Sequence, residues 1–143
     1  MLVRQLSVFV ENRSGRLAAA TTALADHGVN IVALSLADTA DFGILRLIVS
    51  DAETARGALK EAGFTVVMND VLAVEVEDRP GGLASLLSAL DEGGINVEYM
   101  YAFSSLKVRR AALIFRFEDP QAAIQCLGDA GFSVMGKVDV LGE

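Results

Sequence analysis

The segment ENRSGRL at residues 11–17 returns as EDRPGGL at residues 77–83, sixty-six positions later. Extended from Glu11 to Ile31, that offset matches nine of twenty-one residues: a Glu, an Arg, an Asn, two Gly, two Leu and two Ala. Further on the offset becomes sixty-eight, and DAETARGALKEAGFTVV (51–67) matches DPQAAIQCLGDAGFSVM (119–135) at seven of seventeen positions. The chain therefore reads as two copies of one unit of about seventy residues, at 1–70 and 71–143. The two extra residues of the second copy belong between Phe103 and Arg110. An insertion there, flanked by strong matches, marks an exposed hairpin loop.

Both copies give the same order of elements. VRQLSVFV (3–10) is rich in β-branched residues and strand-like. Leu17, Ala20 and Leu24 then recur at helical spacing, as do Leu83, Leu86, Leu87 and Leu90. Gly28 and Gly93-Gly94 stand where a helix ends in left-handed geometry. Strands are expected at Ile31–Leu36 and Val97–Phe103, and a turn at Asp38–Asp41 leads into a strand over Gly43–Val49. Asp51 and Asp119 are placed to cap second helices that end at Gly63 and Gly131. Final strands are expected at Thr65–Met68 and Ser133–Val138. The order βαββαβ, written twice, defines an α+β chain of two ferredoxin-like units. Each would pack two helices on one face of a four-stranded antiparallel sheet. Only Asn69-Asp70 is left as a link, so the sequence predicts that the copies form one rigid body.

Composition narrows the function. The net charge of −7 offers no basic surface to release phosphate counterions, which argues against nucleic acid. The one basic cluster, Lys107 with Arg109 and Arg110, reads as a solvated loop. A single cysteine, Cys126, forms no internal disulfide and gives no zinc-ligand spacing; among Ala122, Ala123, Ile124 and Leu127 it reads as a small buried hydrophobe. Neither a signal sequence nor a membrane-length apolar run is present, so a soluble cytoplasmic protein is expected. The one histidine, His27, lies at a helix C-terminus, where it suits the terminal carbonyls better than catalysis. No catalytic triad, carboxylate cluster at metal-ligand spacing, Walker motif or GxGxxG fingerprint is present. No catalytic residue, metal or cofactor is therefore expected, and the chain reads as a non-enzyme.

The glycine loop carries the remaining chemistry. Gly15 or Gly81 lets the backbone approach a ligand, and the following helix N-terminus favours a carboxylate. Asn12 or Asp78, just upstream, could take an ammonium or hydroxyl group. The alternative is structural: Asn12, Ser14 and Asp78 cap the helix and glycine makes the turn. Capping does not explain the loop arginine, or Asn30 and Asn96 in GVNI and GINV, and the residues alone leave both readings open.

The element order, the strand–[ED]-[ND]-R-[SP]-G-x-L–helix loop and the G-[VI]-N-[IV] strand entry together resemble the ACT domain. That family comprises small regulatory amino-acid-binding modules. The likeness covers nearly the whole chain twice, EDRPGGLASLLSALDEGGINVEYMYAF more strongly than ENRSGRLAAATTALADHGVNI, and looks like the tandem ACT proteins that carry no catalytic domain. It implies an amino-acid effector contacted by Asn12, Arg13, Ser14, Gly15, Asn30 and Ile31 in the first copy. The second copy would use Asp78, Arg79, Pro80, Gly81, Asn96 and Val97. Such sites form where two ACT units lie side by side, so that loop and strand come from different units. The resemblance further implies a homodimer and a partner enzyme or regulator. Asp78 replaces Asn12, and Arg16 stands where the second copy has Gly82, so the two sites should differ. An interaction or oligomerisation module with vestigial ligand sites is the competing reading. Tyr99, Tyr101 and Phe103 alternate on one strand face, as sheet packing or as part of a pocket or dimer contact.

Overall fold

Strand β1 (Val3–Glu11) turns Leu6, Val8 and Val10 to one face, where they are buried. The alanine-rich helix α1 (Arg16–Asp26) lays Ala20 and Leu24 on that face. The chain continues through β2 (Ile31–Asp38), β3 (Phe42–Val49), α2 (Ala52–Glu61) and β4 (Thr65–Glu77). The order is then repeated by α3 (Gly82–Glu92), β5 (Val97–Phe103), β6 (Arg110–Phe117), α4 (Pro120–Asp129) and β7 (Ser133–Met135). A short helix α5 (Lys137–Leu141) follows. The computed structural model describes residues 2–38, 41–103 and 109–141. The expected 38–41 turn and the expected insertion loop fall largely on 39–40 and 104–108, outside the described residues.

The chain divides into two compact units, Arg4–Asn69 and Asp70–Glu143 with Met1–Val3. In the first the strand order is β2-β3-β1-β4, with β1 and β2 both antiparallel to β3. In the second it is β5-β6-β4-β7, antiparallel in every pairing. This is the α+β βαββαβ architecture, used twice. Each unit has its own apolar core. Leu6, Val8, Val10, Leu45 and Leu47 meet Leu24, Ala55 and Leu59 in the first. Leu72, Val74, Phe115 and Phe117 meet Leu86, Leu90 and Leu127 in the second. Each such leucine, fully buried, contributes about 1.5–3 kcal/mol relative to solvent exposure.

The second helices start where their capping residues place them. Asp51 accepts from the Thr54 N–H at 3.1 Å, and Asp119 from the Ala122 N–H at 3.1 Å. Replacing either aspartate by alanine should cost about 1 kcal/mol of unfolding free energy, read from denaturant titration.

Three local expectations are corrected. First, β4 runs unbroken for 13 residues through the supposed Asn69-Asp70 link. Asn69 Oδ1 accepts the Ser7 hydroxyl at 2.9 Å and the Asp70 carbonyl accepts the Arg116 guanidinium at 2.8 Å, so side-chain partners override poor strand propensity. Second, the last strand stops at Met135. The Asp139 carboxylate accepts the Gly136 N–H at 2.9 Å and turns the chain into α5. Third, Arg110 is no solvated loop residue: it opens β6 and its Nε lies 3.0 Å from Oε1 of the buried Glu75.

Candidate functional site

The two glycine loops are built alike. In the first, the Arg13 N–H donates to the Glu11 carbonyl at 2.8 Å, and the Arg16 N–H to the Arg13 carbonyl at 3.4 Å. The second repeats both bonds, Arg79 to Glu77 and Gly82 to Arg79, each at 3.0 Å. Each loop is tied to the neighbouring hairpin: Asn12 N–H to the Asp41 carbonyl at 2.9 Å, Asp78 N–H to the Arg109 carbonyl at 2.7 Å. Gly15 (φ 86°) and Gly81 (φ 88°) are left-handed and occupy the N-cap positions of α1 and α3. An L side chain there would be strained by roughly 1–2 kcal/mol. The N-cap of each helix is a glycine, which brings no side-chain hydrogen bond.

The loop arginines are explained by the glutamate two residues earlier. Arg13 Nε lies 2.9 Å from Glu11 Oε2, and Arg79 Nε hydrogen-bonds Glu77 Oε2. The Arg79 hydrogen bond and charge hold the Glu77 carboxyl below the usual glutamate range. A depressed folded value means that this pairing stabilises the protein above the unfolded glutamate pKa, and the contribution disappears as pH falls through the folded value. A carbon-detected NMR titration should therefore place Glu77 below ordinary glutamates, and Arg79→Ala should return it toward them.

A cavity of about 280 Å³ opens beside the first loop, lined by Asn12, Arg13, Ser14 and Gly15 together with Leu17 and Leu36. The loop residues singled out in the first copy thus share one concave surface. Asn30 and Ile31 do not join them. The register sets Ile31 against Val49, and Glu11 against Phe42, at opposite ends of β3. At 3.3–3.4 Å per residue, the two ends of the unit are about 25 Å apart. Asn30 is exposed and its main chain is fixed, its N–H on the Ser50 hydroxyl and its carbonyl on the Ser50 N–H, both at 2.9 Å. Ile31 packs against the first core.

The second unit repeats the separation. Asp78, Arg79, Pro80 and Gly81 are exposed at the loop end, where Glu77 pairs with Arg110. Asn96 is exposed, and Val97, packed on the second core, faces Phe117 at the other end of β6. Its cavity of about 250 Å³ takes Arg79 from the loop but otherwise lies toward Gly82, Ser85 and Phe132. The loops match in backbone.

Other singled-out residues resolve simply. His27 Nδ1 lies 2.9 Å from the Ala23 carbonyl at the end of α1. Cys126 is half-buried against the second core, its Sγ 3.4 Å from the Ala89 carbonyl. Tyr99 and Tyr101 are half-buried opposite Arg116 and Ile114. Among the described residues no cluster of His, Cys, Asp or Glu could hold a metal ion, and no helix is long and apolar enough to cross a membrane. The sequence reading missed the Glu75–Arg110 pair and the stacking of Arg16 on Phe64. Its one available signal was the Arg16/Gly82 difference beside phenylalanines that both copies keep.

Two βαββαβ units, each with a left-handed glycine loop between first strand and first helix, define a tandem ferredoxin-like protein. The sequence matches the family described as ACT domain pair over residues 1–139, and the chain belongs to that family. Among solved structures it is similar to protein BT0572 from Bacteroides thetaiotaomicron, at 38% identity and a TM-score of 0.92, covering 100% of this chain and 98% of that one. It shares its fold with the regulatory subunit of aspartate kinase from Thermus thermophilus (19% identity, TM-score 0.66, 90% and 91% covered). The same subunit from Thermus flavus gives 20% identity, a TM-score of 0.62, and 91% and 94% coverage. No curated protein matches the sequence.

Proposed function

We propose that this ACT domain pair is a non-enzymatic regulatory protein that binds a small amino acid where two ACT units pair in a homodimer. The Asn12–Gly15 loop of one unit supplies the cavity wall and an N-terminal helix end for the effector carboxylate. Asn30 and Ile31 of the facing unit supply a polar side chain and main-chain groups. The observation that carries this reading is the distance of about 25 Å between loop and strand entry within one unit, estimated from strand rise. One small molecule reaches both residue sets only if they come from different units. Leu34 and Leu36 on the edge strand β2 are 52% and 51% exposed, beside the loop cavity that Leu36 lines, and suit a contact with a second copy. The second set, Asp78, Arg79, Pro80, Gly81, Asn96 and Val97, forms an inequivalent site, because a carboxylate at 78 repels an effector carboxylate that Asn12 tolerates. Membership of the ACT domain pair family supports a cytoplasmic regulator acting on a partner enzyme or a partner regulator.

A thermal-shift screen of the amino acids tests the reading. An effector at a hundredfold its Kd should add about 2.7 kcal/mol of stability. Exposed Leu34, Leu36 and Phe42 also favour a second reading, an association module with vestigial ligand sites. Stabilisation by none of the amino acids would select it.

A further inference from the structure

In the first unit Glu11 faces two arginines. Arg13 Nε lies 2.9 Å from Oε2, and Arg16 Nε lies 3.9 Å from Oε1. The Arg16 guanidinium sits over the ring of Phe64, 4.5 Å from its centroid, and the ring is 6% exposed. Arg16 Nε is buried without a hydrogen bond, so ring and charge are enough to hold it.

The second unit keeps the carboxylate as Glu77, its first arginine as Arg79 and the ring as Phe132, but has Gly82 in place of Arg16. A cavity of about 250 Å³ is lined by the counterparts of these groups, Glu77, Gly82 and Phe132, with Ser85 and Arg110 among others. Phe132, lacking its cover, is only half-buried where Phe64 is buried. Nor can residue 82 fill the space, because a Cβ there would stand 2.1 Å from the Glu77 carbonyl oxygen. The chain's close approach keeps the cavity open.

We propose that this cavity binds the guanidinium group of a small basic molecule, which takes the place that Arg16 fills in the first unit. A planar, weakly hydrated cation suits an aromatic floor beside a carboxylate better than a compact ammonium does. Arg79 and Arg110 lie in the wall, but each is paired with a glutamate, Glu77 and Glu75 respectively, and the chain's net charge of −7 favours an incoming cation. The volume lies just below the roughly 300–1,000 Å³ of ordinary ligand pockets, which suits one side-chain-sized group. Ser85 adds a hydroxyl-bearing residue to the lining. The site stands apart from the Asn12 loop and does not rest on the effector reading.

The test is amide NMR of the full chain titrated with L-arginine, agmatine and L-lysine. Arginine and agmatine should both give saturable shifts centred on Gly82, Ser85 and Phe132, with lysine weaker. Glu77→Gln should weaken arginine binding on the order of tenfold or more, as loss of a charged partner does. Arg16→Ala should open a second site, with new shifts at Phe64. Phe132→Leu, which keeps an apolar side chain, tests the stacking should the Arg16 variant fold poorly, and should lose the preference for arginine over lysine. The proposal is overturned if Phe132 and Gly82 do not respond, if arginine binds there and agmatine does not, or if Glu77→Gln binds arginine as well as the parent. Shifts confined to the Asn12 loop and Asn30 would report effector binding alone and would likewise overturn it.

Discussion

Gly82→Ala is expected to lower the unfolding free energy by about 2–3 kcal/mol, the upper part of the range for forcing atoms into occupied space. The added Cβ, whose position the backbone fixes, would stand 2.1 Å from the Glu77 carbonyl oxygen, so no side-chain rotation relieves the contact. Residue 82 also donates its N–H to the Arg79 carbonyl at 3.0 Å, which ties the first residue of α3 to the glycine loop. The equivalent position in the first unit carries Arg16, where the corresponding N–H bond is longer at 3.4 Å. Arg16→Ala removes a stacked cation without adding an atom and should cost about 1 kcal/mol or less. Denaturant titrations of the two variants should therefore separate two positions that the repeat aligns.

Arg110→Ala should cost about 2–3 kcal/mol. That is less than severing a fully buried pair, because the Arg110 side chain is 30% exposed. Its Nε lies 3.0 Å from Glu75 Oε1, and the Glu75 side chain is 8% exposed. Truncation leaves the carboxylate buried without that guanidinium. The double variant Arg110→Met with Glu75→Leu, which removes both charges and keeps apolar volume, should recover much of the loss. Recovery measured in a double-mutant cycle would identify the buried charge as the origin of the cost.

The architecture was legible because the repeat aligned two noisy copies. Each ambiguous segment of one had a clearer partner in the other, as Leu83, Leu86 and Leu90 clarified the alanine-rich α1. Asp51 and Asp119 could be read as caps since capping is local in sequence. What escaped depended on partners far along the chain. Asn69 and Asp70 looked like a link because their propensities favour turns, while Ser7 and Arg116 hold them in a strand. The solvated appearance of Arg110 came from its neighbours in sequence, and Glu75, thirty-five residues away, decides its place. Within the candidate site, the loop motif was readable as a backbone device. The loop arginine was not, because a Glu-x-Arg spacing gives no sign that the two side chains fold back on one another. Nor does a motif reveal that Asn12 and Asn30 lie at opposite ends of one sheet; only strand register does.

That separation is the basis of the functional reading, and calorimetric titration tests it most directly. With the amino acid that gives the largest thermal shift, Asn12→Ala and Asn30→Ala should each weaken binding on the order of tenfold or more, although about 25 Å separates the two residues in one unit. Equal sensitivity at both positions is the predicted result. Loss of binding in Asn12→Ala, with Asn30→Ala titrating like the parent protein, would place the ligand within a single unit and contradict the account.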